Sequence, residues 1–161
     1  MLWDRPGYPL SDVAVESQYN HLLEGLCTEL EASGHAVISD GALCVFPDGF
    51  TGRSGDPLPL ILRKSDGGFG YATTDLAALR YRVHDIGAAF NVYVVGAPQR
   101  QHLEMVFKVG RDVGWLEHSD AVHVPFGSVL GRDGKVIHCR LYQNKLDCTK
   151  VHFSIGKRKS L

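Results

Sequence analysis

The stretch Lys64-Ser65-Asp66-Gly67-Gly68-Phe69-Gly70-Tyr71-Ala72-Thr73-Thr74-Asp75-Leu76-Ala77-Ala78-Leu79-Arg80-Tyr81-Arg82 decides how this chain is read. Asp66-Gly67-Gly68 is turn chemistry, because glycine takes the backbone angles of a tight reversal and aspartate bonds back to its own backbone. Leu60 to Leu62 reads as the strand before that turn, and Phe69 to Ala72 as the strand after it. Helix punctuation follows. Thr73 or Thr74 can cap, Asp75 lies where a negative charge suits a helix N-terminus, and Leu76, Leu79 and Val83 share one apolar face.

Toward the N-terminus, Gln18 to Ser33 carries Tyr19, Leu22, Leu23, Leu26 and Leu30 at helical spacing, and Gly34 stands where helices commonly stop. Ala36 to Ile38 and Ala42 to Phe46 are short apolar runs joined by Ser39-Asp40-Gly41, the chemistry of a hairpin. Pro47 to Pro59, rich in Gly, Asp, Pro and Ser, reads as a surface loop. Toward the C-terminus, Asn91 to Val95 is a near-continuous apolar run, as in a strand covered on both faces. Gln99 to Val113 returns to helical period through Leu103, Val106, Phe107 and Gly110, and Ala121 to Val124 reads as a further strand. This alternation predicts an α/β fold with a parallel, Rossmann-like sheet and short β-hairpins. Ser128 to Leu130 and Lys135 to Ile137 flank the turn Arg132-Asp133-Gly134. From Leu141 onward no period is clear, and no element is assigned there.

With 161 residues and 44% hydrophobic content, the chain can bury the core of a single domain. A formal net charge of -1 gives no overall attraction to a polyanion. Lys145, Lys150, Lys157, Arg158 and Lys159, opposed by Asp147 alone, form a local basic patch that reads as a solvated tail. The four cysteines form no Cys-x-x-Cys pair and no leader pattern precedes them, which points to a reduced, cytoplasmic compartment. No apolar run approaches the roughly 20 residues of a membrane span, so no membrane is expected. His138, Cys139, Cys148 and His152 match no common structural-zinc spacing, and no metal site is expected.

In open parallel sheets ligands bind beyond the carboxyl ends of strands, which singles out Tyr71, Asp75, Gln99 and His102. A carboxylate beside a phenol suits a guanidinium, whose planar fork takes paired hydrogen bonds from the acid and packs on the ring. Glu16, ahead of the first helix, can supply a second acid. Structural readings stand beside these: Asp75 as a helix-dipole partner, Tyr71 as a core aromatic, His102 as a helix-face residue without chemistry.

The stretch from Lys64 to Arg82 resembles the central motif of the arginyl-tRNA synthetases. Tyr93-Val94-Val95 followed by Gln99 and His102 is similar to the next strand and helix of that family. His123-Val124-Pro125-Phe126-Gly127 with Leu130-Gly131-Arg132-Asp133-Gly134-Lys135 resembles the segment leading to its second ATP signature, and Val15-Glu16-Ser17-Gln18-Tyr19-Asn20 resembles the pattern ahead of its helix. The resemblance covers about residues 12 to 137. It implies the C-terminal part of a class I synthetase catalytic core over residues 1–137 and a divergent basic tail over 138–161. It also implies an arginine pocket in which Glu16, Tyr71 and Asp75 hold the guanidinium and Gln99 lies nearer the amino-acid head. His123, Gly127 and Val129 would lie at the adenine, with Arg140 as the basic residue of the second signature. The implied substrates are L-arginine, ATP with its Mg2+ ion, and tRNA. No prosthetic group and no catalytic side chain is implied, since the family's catalysis rests on positioning and phosphate-charge stabilisation.

The family's first signature, of His-x-Gly-His type, does not occur, and the second reads Ile137-His138-Cys139-Arg140-Leu141-Tyr142. The isolated chain is therefore expected to perform little or no aminoacylation. Truncation or a shifted reading frame would account for the pattern, with a complementing synthetase fragment as a partner. The rival readings are a noncatalytic arginine-binding or protein-interaction module, marked by exposed apolar surface, and an unstable remnant with open sheet edges.

Overall fold

The computed structural model describes residues 16–127 and 150–156. A 3-10 segment, Glu16–Leu22, leads into helix α1, Leu23–Ala32, so the regular helix starts later than the apolar spacing from Gln18 suggested. Leu23, Leu26, Cys27 and Leu30 are its buried face. Gly34, at φ 77°, ends it: the Gly34 amide bonds to Glu31 O and the His35 amide to Leu30 O, the paired closure that a left-handed residue allows.

Strands β1 (Ala36–Ser39) and β2 (Ala42–Val45) form the hairpin read from the sequence. Asp40 and Gly41 both have positive φ, 49° and 76°, which matches the twist of a two-residue turn. Strand β3, Leu60–Arg63, adds antiparallel to β2 and completes a three-stranded sheet. The Asp66-Gly67-Gly68 turn is also present, closed by the Gly68 amide on Asp66 Oδ1 at 2.9 Å and the Lys64 amide on Gly68 O at 2.8 Å.

The strand expected over Phe69 to Ala72 is a correction. Only a single bridge, Arg63 to Phe69, forms, and helix α2 (Tyr71–His84) begins at once. The reason is the approach at Gly70. Its amide bonds to Leu62 O at 2.8 Å, and a Cβ there would lie 2.3 Å from Ile61 O, so the chain crosses β3 instead of pairing along it. Neither Thr73 nor Thr74 caps the helix. Gly70 is the N-cap with no side-chain bond, and the buried Thr73 hydroxyl donates to Leu62 O.

Strand β4, Ala88–Gly96, runs through a short 3-10 turn, Ala97–Gln99, into α3, Arg100–Asp112, and then to β5, Asp120–Phe126. β4 and β5 are parallel, in register from Phe90 with Asp120 to Gly96 with Phe126. This is the strand, helix, parallel strand unit that the alternation predicted. On the far side of β4 lies β6, Lys150–Gly156, antiparallel, giving the order β5-β4-β6. That strand falls in the block to which no element was assigned. The hairpin expected over 128–137 lies outside the described residues.

The core joins α1, α2 and α3 to the strands through Leu30, Leu62, Leu76, Leu79, Tyr93, Leu103 and Val106, all nearly inaccessible. Each contributes about 1.5–3 kcal/mol by leaving water. Gly110 lets α3 approach α2, since a Cβ there would sit 2.9 Å from Leu79 Cδ2. Arg63 with Glu24 and Arg80 with Glu29 add exposed ion pairs at 2.7 and 2.9 Å, each worth under about 1 kcal/mol.

Candidate functional site

α2 and the turn before it form one wall of a cleft of about 450 Å³, lined by Ser17, Asn20, Lys64, Phe69, Gly70, Tyr71 and Thr74. Tyr71 is the first residue of α2 and 83% exposed. The core-aromatic reading is thereby excluded: a large ring stands in solvent at the cleft. Asp75 is one turn further along the same side of the helix and only 3% exposed.

Asp75 was read as opening the helix, but it is the fifth residue of α2 and lies past the turn where the macrodipole acts. Its carboxylate is instead held across the helix pair. Asp75 Oδ2 lies 2.7 Å from His102 Nε2, in the first turn of α3. Burying a carboxylate is costly unless its lone pairs are occupied, and His102 supplies one donor. His102, read as a helix-face residue, does sit on α3, with its ring turned to Asp75. No local pattern joins two residues 27 apart; the available signal was that each lies early in a helix that follows a strand, α2 after β3 and α3 after β4, the two strands belonging to different sheets.

Behind Asp75 lies a buried polar cluster. Arg82 Nη1 donates to Tyr93 Oη at 3.0 Å, and its guanidinium carbon lies 5.8 Å from the Tyr19 ring centre and 5.4 Å from that of Tyr93. Burial pushes the Tyr93 phenol up to about 12. The Arg82 charge pulls against that rise, while the Asp75 carboxylate adds to it.

Gln99 closes the 3-10 turn at the carboxyl end of β4 and is half-buried. Glu16 opens the 3-10 segment whose Ser17 and Asn20 line the cleft. On β5, His123 Nε2 makes a 2.9 Å hydrogen bond with Val95 O, which ties the ring to β4. Gly127 follows β5 at the same carboxyl edge from which Gln99 departs, because Gly96 and Phe126 are in register. Val129 and Arg140 lie outside the described residues, as do His138, Cys139 and Cys148.

Among the described residues, no group of three His, Cys, Asp or Glu side chains is set to hold a metal ion. No helix among them is long and apolar enough to cross a membrane. Burial pushes the thiols of Cys27 and Cys44 up, so neither is an activated nucleophile at neutral pH.

The sequence profile described as "tRNA synthetases class I (R), catalytic domain" matches residues 8–145. The chain is 57% identical over 128 residues to an arginine–tRNA ligase of Thermobifida fusca, covering 80% of this chain and 22% of that protein. It is 51% identical over 138 residues to one of Nostoc punctiforme, covering 83% and 24%. It thus spans under a quarter of the length of these relatives. Among solved structures, the arginyl-tRNA synthetase of Plasmodium falciparum superposes with a TM-score of 0.65 at 31% identity, over 74% of this chain and 20% of that one. A protein of Campylobacter jejuni described as a putative arginyl-tRNA synthetase shares the fold, with a TM-score of 0.57 at 15% identity, over 85% of this chain and 29% of that one. A match across most of its length, in sequence and in fold, makes this chain a member of the class I tRNA synthetases, in the family of the arginine-specific catalytic domain.

Proposed function

We propose that the chain is the amino-acid-binding part of an arginine–tRNA ligase active site and takes L-arginine by its guanidinium. One observation carries this reading: a nearly buried carboxylate, Asp75, is oriented by His102 one helical turn from the exposed ring of Tyr71. A guanidinium placed there would give Asp75 a charge-assisted pair of hydrogen bonds and lay its plane against the phenol. Glu16 would add a second acid from the 3-10 segment beside the cleft. Gln99, at the carboxyl end of β4, would face the amino-acid head.

The reaction of the family is attack of the arginine carboxylate on the α-phosphorus of ATP with loss of pyrophosphate, then transfer of the arginyl group to tRNA. ATP, with Mg2+ as its counter-ion, would meet this chain along the carboxyl edge of β4 and β5 at His123 and Gly127; Val129 and Arg140, outside the described residues, are assigned to the same nucleotide site by the family resemblance alone. Since the His123 ring is engaged with Val95, it would offer the nucleotide a fixed imidazole face. The residues proposed for arginine lie on the described elements of this chain, which spans 22% to 24% of these relatives, and we assign it the arginine half of the site. A complementing synthetase fragment is its proposed partner, tRNA the partner of the completed enzyme, and the cytoplasm its compartment. The division into a core over 1–137 and a basic tail over 138–161 belongs to this reading. ATP–pyrophosphate exchange tests it: arginine-dependent exchange is expected once a fragment carrying the first ATP signature is added, and no exchange from a folded, arginine-binding mixture would refute the enzymatic assignment.

A noncatalytic arginine-binding module is the second reading. It is favoured by the apolar residues exposed on the first sheet, Val37 at 49%, Ile38 at 61% and Ile61 at 43%. Arginine binding with no exchange under any complementation would select it.

A further inference from the structure

The cleft has two walls that come from distant parts of the chain. Tyr71 and Thr74 belong to α2, while Ser17 and Asn20 belong to the 3-10 segment Glu16–Leu22. A 3-10 turn holds about three residues, so Ser17 and Asn20 stand in one row along the segment, and both are exposed at the cleft. Tyr19 and Leu22 form a second row turned to the core, with Tyr19 only 4% exposed. Seven residues is long for a 3-10 run, whose hydrogen bonds are poorly aligned. Such a segment keeps its place through what it packs against.

Tyr19 supplies that packing. Its ring meets the Tyr81 ring edge to face, with centroids 5.7 Å apart and planes at 62°, and the guanidinium carbon of Arg82 lies 5.8 Å from its centre. Tyr81 and Arg82 are on α2, the helix that also carries Tyr71, Thr74 and Asp75. Arg82 in turn donates to Tyr93 Oη at 3.0 Å, on β4. One ring therefore refers both walls of the cleft to a single helix. Both contacts of Tyr19 are made by the ring, which a phenylalanine would keep.

We propose that Tyr19 is a positioning residue of the arginine site: it docks the 3-10 segment on α2 and so sets where that segment stands relative to Tyr71 and Asp75. This deepens the proposed arginine site and rests on it. Tyr19, nearly inaccessible, does not touch the substrate; it acts through the segment it anchors.

The test is calorimetric titration of the whole chain with L-arginine for wild type, Tyr19→Met and Tyr19→Phe, with thermal unfolding and amide NMR spectra of each. Methionine fills much of the space without a ring, and phenylalanine keeps the ring. Ser119→Ala, outside the cleft lining, is the stability control. Tyr19→Met should weaken arginine binding about tenfold or more and shift the Ser17 and Asn20 amide resonances. Tyr19→Phe should bind as wild type does with those resonances in place, and Ser119→Ala should bind normally despite a lowered melting temperature. Wild-type affinity in Tyr19→Met overturns the inference alone, as does a folded Tyr19→Phe chain that has lost binding. An equal loss of affinity in Ser119→Ala overturns it too, because stability alone would then account for the effect. Ser17 and Asn20 resonances unmoved in Tyr19→Met overturn it whether or not arginine binds. A folded wild-type chain that binds no arginine overturns the functional reading and this inference with it.

Discussion

Replacing Gly70 with alanine tests how the turn into α2 builds the cleft. Gly70 has φ −83°, which any residue can adopt, so what requires glycine here is space. The added methyl would lie 2.3 Å from Ile61 O, which is 0.7 Å inside the 3.0 Å that real Cβ contacts keep. The obstacle is backbone, so no side-chain rotation relieves it. Opening the gap pulls on the Gly70 amide bond to Leu62 O, now 2.8 Å, and on the Thr73 hydroxyl bonded to the same carbonyl. Overpacking of this kind costs about 1–3 kcal/mol, and a weakened buried hydrogen bond about 1 kcal/mol more. The sum, about 2–4 kcal/mol, corresponds to a fall in melting temperature of roughly 5–15 °C for a chain of this size. Circular dichroism melts of Gly70→Ala beside Gly110→Ala would read it. At Gly110 the nearest obstacle is a leucine methyl that can turn away, and alanine gains about 1 kcal/mol in helix propensity, so the net change there should stay within about 1 kcal/mol. Equal melting temperatures for Gly70→Ala and wild type would refute the steric reasoning.

Tyr93 makes a pH-dependent contribution. Its folded pKa is raised from 10.0 to about 12, so the folded state holds the proton more tightly than the unfolded chain does. The stability this provides is fully present below pH 10 and lost as the pH rises through 12, about 3 kcal/mol in all. Denaturant unfolding between pH 9 and 12 should show the fall, and Tyr93→Phe should flatten it while removing the acceptor of Arg82. Ser119→Ala should cost about 1–3 kcal/mol in the same assay, because Ser119 Oγ donates to Ala88 O at 2.7 Å and accepts from Asn91 Nδ2 at 3.2 Å in the interior. A neutral result would mean that the residues around Ser119 re-form these bonds.

What could be read from the sequence is what short-range chemistry dictates. Asp40-Gly41 supplies its own hairpin turn, Gly34 its own helix stop, and the apolar period of α3 its own buried face. Apart from the late start of α1, the misses are non-local. Phe69 to Ala72 looks like a strand until the backbone of Ile61 is placed against Gly70, a contact that no propensity encodes. The strand β6 does alternate Val151, Phe153 and Ile155, but whether such a run pairs depends on a free edge of β4 some 60 residues away. In the site, the residue types of Tyr71 and Asp75 carried the guanidinium idea. The exposure of Tyr71 and the bond from Asp75 to His102 required the packing of α2 on α3.

The guanidinium site is tested most directly by calorimetric titration of the purified chain with L-arginine, beside lysine and citrulline, for wild type and an Asp75→Ala variant that remains folded by circular dichroism. Arginine should bind, lysine should bind less because it lacks the planar fork, citrulline less because it lacks the charge, and Asp75→Ala should abolish the preference. A folded wild-type chain that ignores arginine, or an Asp75→Ala variant that binds it as well as wild type, would contradict the assignment of Asp75 to the substrate.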